Sequence, residues 1–338
     1  MWVVPACFWE NLMRANATHP DHSDRHADQP VRSQLQPYVR PRSTFFQRLW
    51  RARLAYAFLL PSLIVMGWFS YVPAFTALTR AFTDWDGLNR PNFTGLENFQ
   101  RAVSDPVMQE ATGHSAVWVA LGLLLAVVPP LLVAELIFHL RGQRRQYFYR
   151  TLFVVPIVIP SLVLLLVWSN FYRTDGLINQ VLGALHLNSL QHGWLSDPGT
   201  ALYSLIFLGF PYIDAFYLLL LYAGLQSIPR EVTEAARLDG ASGLRRVFSI
   251  DLPLLAPQLR LIALLAIIGN VQYFISPLVL TSGGPGNATT VPALLMYQTA
   301  TKFGEYGYAM AIAVLLFLVV VALTLLSQRL SKSSAGPL

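Results

Sequence analysis

Six long apolar stretches alternate with polar connections along the 338-residue chain. Each stretch is close to the ~20 residues that an α-helix needs to cross about 30 Å of hydrocarbon. The pattern therefore predicts an all-α, polytopic membrane protein with six transmembrane helices. They are expected at about residues 54–79, 115–138, 151–172, 200–225, 261–280 and 308–328.

Composition supports the same class of protein. Hydrophobic residues make up 54% of the chain and charged residues 12%, whereas about a quarter of a soluble domain is charged. Because Cys7 is the only cysteine, no intrachain disulfide is expected.

Lysine and arginine are distributed unevenly between the two sides of the predicted bundle. Of the 24 such residues, 19 lie in the N-terminal tail, the connections after the second and fourth stretches, and the C-terminus. The remaining connections hold 5. By the positive-inside rule, both termini and the connection after the fourth stretch are expected in the cytoplasm. The net charge of +6 then reflects membrane orientation, and nucleic acid is not an expected partner.

Residues 1–53 are polar and irregular, and a disordered cytoplasmic tail is expected there. His19, His22 and His26 lie among aspartates, a composition that also suits a divalent metal ion. A further alternative is that the true start of the protein lies downstream. The sequence leaves the role of this segment open.

The connection after the fourth stretch, residues 228–257, is the longest strongly polar segment between two predicted spans. Pro229 suits the first turn of a helix, and Gly240 can take the positive φ that ends one. Ser242 can then cap a second short helix. The segment is predicted to form a helix, a glycine bend and another helix just outside the bilayer.

The spacing of residues in this segment resembles the EAA loop of ABC importer permeases, EAA-x3-G-x9-I-x-L-P. All fixed positions match, which favours the resemblance over an ordinary amphipathic connector. They are Glu234, Ala235, Ala236, Gly240, Ile250, Leu252 and Pro253. The resemblance implies that the segment docks on an ATPase, with Glu234 as a charged contact and Gly240 as the bend.

Two outer connections resemble the carbohydrate-uptake subfamily of these permeases. Residues 93–99, FTGLENF, are similar to its FVGLENF element, and residues 281–290, TSGGPGNATT, to its TGGGPGNST segment. Glycines allow tight turns and converging N–H groups, which suit docking of a binding protein; the alternative is a plain outer turn. The docking residues expected on this basis are Gly283, Gly284, Pro285, Gly286 and Asn287.

The resemblance covers about residues 54–330 and implies the type I importer transmembrane fold. It divides the chain into a tail (1–53), a first helix with its outer loop (54–108), a five-helix core (109–328) that includes the 228–257 segment, and a C-terminal tail (329–338). It also implies a multi-pass protein of a bacterial or archaeal inner or plasma membrane.

No G-x-x-x-x-G-K-[ST] motif occurs in the sequence, so no cofactor is expected on this chain. ATP and Mg²⁺ are expected on a separate cytoplasmic ATPase dimer. The resemblance further implies a second homologous permease, with a heterodimer favoured, and an extracytoplasmic solute-binding protein.

Polar residues inside apolar spans are the candidates for a substrate path, because burying them in lipid is costly. Asp214 and Tyr217 lie in the fourth stretch near Pro211; the alternative for Asp214 is a carboxylate satisfied by a neighbouring helix. The fifth stretch, which lines the path in the resembling family, adds four more candidates at roughly helical spacing. They are Asn270, Gln272, Tyr273 and Ser276.

The remaining ionisable residues suggest no catalytic or metal site. Glu135 lies near the cytoplasmic end of the second stretch and is expected to extend towards water. Ser, His and Asp residues are present, but no motif places them together.

The sequence thus predicts the permease subunit of a carbohydrate importer, for a sugar or a related polyol such as a glycerol phosphate. The alternatives are an ABC permease for another solute class and a secondary transporter outside the ABC family, although no inverted repeat supports the latter. Which sugar is carried, and whether this subunit or its partner holds the substrate site, are left open.

Overall fold

A computed structural model of the protein describes residues 53–210 and 213–333, and nearly all regular structure in these ranges is helical. The one strand-like pairing within them is an antiparallel bridge between Thr83 and Phe93. The prediction of an all-α protein is confirmed for the described part of the chain. The expectations for residues 1–52, with the histidine tract, for Pro211, and for residues 334–338 lie outside it.

The chain divides into two compact units, residues 1–61 and 62–338. The first helix, α1 (Arg53–Met66), continues through a π-helical turn at Gly67–Tyr71 into α2 (Val72–Arg80). Its apolar side chains are largely exposed, as expected for a helix that faces lipid or another subunit.

A short loop follows α2 and leads to helix α3 (Glu97–Ser104). The Asp84 carboxylate accepts hydrogen bonds from the side chain and the backbone N–H of Asn92, at 3.0 and 2.7 Å. These bonds hold the pKa of Asp84 below its usual range, so the loop is ordered by a charged acceptor at neutral pH.

The second apolar stretch forms α4 (Pro106–His139), which begins well before the predicted residue 115. Asp105 is the N-cap and accepts a hydrogen bond from the Val107 N–H, while Pro106 occupies the first turn, where no N–H is needed. This Asp-Pro pair explains the early start. At 34 residues the helix passes through the prolines at 129 and 130 without ending.

The third stretch is bent. Helix α5 (Gln143–Val154) runs into a 3₁₀ turn at Val155–Val158, and α6 (Ser161–Phe171) leaves at 92°. Ile159 takes an extended conformation, as the residue before a proline tends to, and Pro160 precedes the first residue of α6.

The fourth stretch is divided. After α7 (Leu177–Ala184), helix α8 (Pro198–Ile206) ends in the first third of the predicted span, and α9 (Ala215–Gln226) begins after its N-cap residue Asp214. Gly209 has a φ of +88°, a conformation that glycine adopts without steric cost.

The rest of the chain is a series of short helices followed by three longer ones. The short helices are α10 (Arg230–Leu238), α11 (Gly243–Arg246) and α12 (Leu252–Leu254), with a π-helical turn at Val247–Asp251. The longer helices are α13 (Ala256–Gln272), α14 (Pro292–Thr301) and α15 (Tyr306–Ser333), and a further π-helical turn occupies Pro277–Thr281.

Four helical segments of the described chain are long and apolar enough to cross a membrane, and the bent α5–α6 pair counts as a fifth if it forms one span. The four are Tyr56–Arg80, Pro106–His139, Ala256–Thr281 and Tyr306–Arg329. They coincide with the first, second, fifth and sixth predicted spans. The shorter apolar helix α9 lies in the fourth.

Helix α4 contributes to all three buried clusters of the structure. One joins its C-terminal half to α9 and α13 through residues such as Leu221, Leu255 and Ile262, which are fully buried. A second surrounds Trp118, and a third surrounds Met108. Helix α4 therefore links these three buried clusters to one another.

Candidate functional site

The polar segment at residues 228–257, called the coupling segment below, forms the predicted helix, bend and helix. Pro229 precedes the first residue of α10, and Gly240 has a φ of +71°, the left-handed conformation that ends many helices. Ser242 occupies the N-cap position of α11 as expected, but its side chain forms no capping hydrogen bond.

The residues of the EAA-like motif divide between the two faces of the coupling segment. Glu234 and Ala235 are exposed, whereas Ala236 is buried and its carbonyl accepts a hydrogen bond from Ala241 N–H. Ala236 thus packs inward. Ile250 and Leu252 are half-buried, and Pro253 is exposed.

Several large apolar side chains on the coupling segment are exposed and are not among the sequence candidates. The three most exposed are Leu238 at 90%, Leu244 at 74% and Phe248 at 66%. They lie on the same segment as the exposed Glu234. In the sequence, each of them is an apolar residue within a polar connection. Hydrophobic periodicity alone predicts that such a residue is buried.

A buried group of charges fixes the coupling segment to the end of α4. The Arg246 Nε lies 3.3 Å from Oδ1 and 3.2 Å from Oδ2 of Asp251, and both residues are buried. Glu135 and His139 of α4 belong to the same group, with His139 Nδ1 3.6 Å from Glu135 Oε2. The expectation that Glu135 extends towards water is wrong: the residue is 7% exposed, because the coupling segment covers it.

Glu135, His139 and Asp251 place possible metal-ligand atoms within 4.8 Å of one another. Arg246 already supplies a cation to this group, however, and its guanidinium also lies over the Phe138 ring at 5.5 Å. Arg246 is paired with Asp251, whereas neither oxygen of the Glu135 carboxyl group has a hydrogen-bond partner among the described residues. The group is therefore an ion pair with a second buried carboxyl group beside it, and the expectation of no bound cofactor stays a prediction.

A cavity of about 340 Å³, called the central cavity below, opens where the fourth stretch is divided. It is lined from α4, from the break between α8 and α9, and from α13. Four of the sequence candidates for the substrate path line it: Asp214, Tyr217, Asn270 and Tyr273.

The other two candidates lie elsewhere. Gln272 is exposed and does not line the central cavity. Ser276 is buried at 1% exposure, and its hydroxyl has no hydrogen-bond partner among the described residues.

Polar groups of the central cavity are held in place by the backbone. Asp214 Oδ1 accepts hydrogen bonds from the N–H groups of Phe216 and Tyr217, at 2.9 and 3.1 Å, and so caps α9. Asn270 donates from Nδ2 to the Ala266 carbonyl at 2.8 Å. A Cβ atom on Gly122 would lie 2.5 Å from Asn270 Oδ1, so this glycine lets α4 approach the amide.

Aromatic rings complete the walls of the central cavity. The rings of Trp118 and Tyr273 lie 5.6 Å apart between centroids, tilted by 35°, and Tyr217 stands beside Asp214. Aromatic faces with a few fixed hydrogen-bonding groups are typical of small-molecule sites. The arrangement can bind a solute but offers no group placed for covalent chemistry.

The glycine-rich loop at residues 281–290 is held in place by two buried threonines. Thr289 Oγ1 donates to the Gly284 carbonyl at 3.0 Å, and Thr290 Oγ1 donates to the Gly283 carbonyl at 3.2 Å. The His114 Nδ1 lies 3.0 Å from the Thr290 carbonyl oxygen and so joins the loop to α4. These hydrogen bonds therefore hold the backbone of the loop in a fixed conformation.

Beside this loop lies a cavity of about 720 Å³. Asn287 reaches it from the loop. On its other side Arg101 pairs with Glu305 at 2.8 Å, and the Tyr308 hydroxyl donates to Asp105 at 3.1 Å. Of the predicted docking residues, Asn287 thus borders a strongly polar cavity.

Comparison with known proteins agrees with this architecture. The family model "Binding-protein-dependent transport system inner membrane component" matches residues 119–334. The probable ABC transporter permease protein YurN of Bacillus subtilis is 31% identical over 83% of this chain and 96% of its own length. The trehalose/maltose transport system permease protein MalF of Thermococcus litoralis is 32% identical over 83% and 94%, respectively.

A solved bacterial ABC transporter that imports the acidic polysaccharide alginate has a chain that superposes with a TM-score of 0.76. The match covers 87% of this chain and all of that chain at 19% identity, so it shows the fold alone. The fold is that of the type I importer transmembrane domain. The chain therefore belongs to the binding-protein-dependent ABC importer permeases of the carbohydrate-uptake subfamily, multi-pass subunits of the inner membrane whose ATPase is a separate protein.

Proposed function

We propose that this chain forms part of the path by which a sugar crosses the membrane, and that the central cavity contacts the sugar. The proposal rests on one observation: the same cavity is lined by Asp214, Tyr217, Asn270 and Tyr273. A carboxylate and an amide can each bond sugar hydroxyls, and ring faces pack against the C–H face of a sugar. The named substrates of several relatives, such as trehalose and maltose, support a sugar over another solute class.

The proposal includes six spans with both termini in the cytoplasm. The bent α5–α6 pair and the divided α8–α9 pair would be the third and fourth spans. A span interrupted near the membrane midplane is tolerated where the irregular backbone lines a cavity, as it does at Asp214.

The coupling segment is proposed to dock on the ATPase dimer through Glu234 and its three most exposed apolar side chains, Leu238, Leu244 and Phe248. Its movement can reach the central cavity through α4. That helix carries Glu135 beside Arg246 and Asp251 at one end, and Trp118 and Gly122 at the cavity. Closely packed cores transmit rigid-body movement of this kind.

The outer loop at residues 283–287 is proposed to dock the solute-binding protein, and a second homologous permease to complete the path. A solved alginate transporter in complex with its substrate-bound periplasmic protein has the same fold, which supports an outer docking surface. The sequence favours two different permease chains, and the exposed apolar face of α1 and α2 offers area for contact with lipid or a partner.

The test is uptake by the assembled importer, reconstituted in vesicles with its ATPase, second permease and binding protein, across a panel of sugars. Asn270→Ala should raise the KM for the transported sugar on the order of tenfold, since it removes a hydrogen bond to a buried polar ligand. Gln272→Ala, two residues along the same helix but outside the cavity, should leave KM unchanged. Equal effects of the two substitutions would contradict the proposed site, and uptake of no sugar in the panel would contradict the substrate class.

A further inference from the structure

A third cavity, of about 470 Å³, lies between α5 and the end of α9 and is called the arginine cavity. Arg144 and Arg150 line it, together with two tyrosines and three glutamines. No acidic residue is among its lining residues. The cavity therefore presents two cations and several hydrogen-bond donors, without an anion to balance them.

The arginines of this cavity are not neutralised within the described chain. Neither Arg144 nor Arg150 has a carboxylate within ion-pair distance in the ranges that the structure describes. The Arg150 guanidinium lies 5.3 Å from the ring centroid of Tyr222 and 5.7 Å from that of Tyr147. Ring faces thus position the cation while leaving its N–H groups available to an anion.

The polar wall of the cavity is preorganised. The Tyr222 hydroxyl donates to Gln146 Oε1 at 3.0 Å and accepts from Gln226 Nε2 at 3.2 Å. Gln146 Nε2 in turn donates to the carbonyls of Phe138 and Leu140 at the end of α4. These bonds fix α5 to α4 and α9, so the site does not have to be ordered when a ligand arrives.

The residues that line this cavity lie at one edge of the third and fourth predicted spans. On α5 they fall within residues 143–150, just before the third apolar stretch begins at 151, and on α9 they are Tyr222 and Gln226, at the end of the fourth. The proposed orientation of the spans therefore puts the cavity at the cytoplasmic surface of the membrane. Tyr147, Phe148 and Leu152 of α5 are 64%, 60% and 52% exposed. Such side chains, next to arginines, are typical of a helix at the level of the lipid headgroups.

We propose that the arginine cavity binds the phosphate group of an anionic phospholipid in the cytoplasmic leaflet. The proposal rests on the proposed orientation of the spans, which puts α5 on the cytoplasmic side. A guanidinium matches the paired oxygens of a phosphodiester, and the cytoplasmic leaflet carries the anionic lipids of the membrane. The exposed aromatic and aliphatic side chains of α5 favour a lipid over a soluble phosphate, because acyl chains can cover them.

The lipid dependence can be measured on the full chain in mixed micelles by native mass spectrometry, with phosphatidylglycerol as the probe and phosphatidylcholine as the uncharged reference. The Arg144→Gln/Arg150→Gln double variant should bind phosphatidylglycerol about 25-fold more weakly than the wild-type chain. Each cation near the headgroups contributes roughly fivefold in affinity. Arg329→Gln, an exposed arginine on the same side but outside the cavity, should bind it as the wild type does.

The Arg144→Lys/Arg150→Lys variant keeps both charges and serves as the control for folding, since it should retain most of the affinity. Glycerol phosphate, added at increasing concentration, distinguishes a lipid from a soluble phosphate. Unchanged lipid binding in the Gln double variant would overturn the proposal. So would an equal loss in Arg329→Gln, or binding of glycerol phosphate with the same arginine dependence but no binding of the lipid. None of these measurements uses sugar uptake, so failure of the lipid site is distinguishable from failure of the proposed transport function.

Discussion

A single glycine decides how closely two helices of the central cavity approach. Gly122 of α4 faces the amide of Asn270, and an added Cβ would lie 2.5–2.7 Å from its atoms. Gly113 of the same helix has no atom within 4 Å of such a Cβ. The two positions are a matched pair, because both are helical and only one is crowded.

We expect Gly122→Ala to displace the Asn270 side chain into the central cavity and to raise the KM for uptake several-fold. Gly113→Ala should leave KM unchanged and stabilise α4 by up to ~1 kcal/mol, the usual gain of alanine over glycine in a helix. Uptake kinetics and thermal unfolding of the two variants give the comparison. Identical KM values for the two variants would show that Asn270 does not depend on Gly122.

Sequence reasoning could find the polar side chains of the central cavity but not this glycine. Asp214 and Asn270 stand out because polar residues are rare in apolar spans. The crowding at Gly122 depends on a contact between residues 148 positions apart, which no local pattern reports. The placement of Gln272 outside the cavity likewise depends on how α13 is rotated.

At the scale of elements, the coupling segment ends its first helix with a glycine in the left-handed conformation. Gly304, in the loop before α15, has the same φ of +71° and the same open surroundings. Replacing either by alanine costs about 1–2 kcal/mol of backbone strain. Gly240→Ala should uncouple ATP hydrolysis from uptake in the assembled importer, whereas Gly304→Ala should lower stability equally and leave the ratio of sugar moved to ATP hydrolysed unchanged. An unchanged ratio in both would rule out the bend as a transmission point.

The buried ion pair beneath the coupling segment gives a second prediction at this scale. Arg246→Met leaves the carboxylates of Glu135 and Asp251 close together without a cation, and should destabilise the protein by about 3–5 kcal/mol. Adding Asp251→Leu should recover part of the loss, since it removes one of the two unpaired charges. Thermal unfolding in detergent measures both.

Arg245→Met is the control for this pair of variants, because Arg245 is the exposed neighbour of Arg246. Its unfolding temperature should match that of the wild type. A double variant less stable than Arg246→Met alone would contradict the account of the cluster.

The sequence predicted the straight spans better than the interrupted ones. Continuous apolar runs gave the helices at 56–80, 106–139, 256–281 and 306–329 to within several residues. The third and fourth stretches were predicted as single helices, although one bends at Pro160 and the other is interrupted between residues 206 and 215. Hydropathy predicts which residues lie in lipid, but it does not predict the direction of the helix axis. An apolar run of the same composition can therefore form a straight, bent or divided helix.

For the whole molecule, the predicted orientation places the coupling segment and the glycine-rich loop on opposite sides of the membrane. In a Cys7→Ala background, Asn287→Cys should react with a membrane-impermeant thiol reagent in intact cells or spheroplasts. Asp239→Cys should react only after the membrane is permeabilised. Both side chains are exposed in the structure, so access alone decides the result. Labelling of Asp239→Cys from outside would reverse the orientation.

The interruption before α9 also bears on which solutes the permease admits. A helix that begins inside a membrane protein presents its partial positive charge to the adjoining space and would attract an anion there. In this chain the Asp214 carboxylate already occupies that position, and no lysine or arginine lines the central cavity. The cavity is therefore electrostatically negative, and it should discriminate against acidic sugars and phosphorylated polyols in favour of uncharged ones.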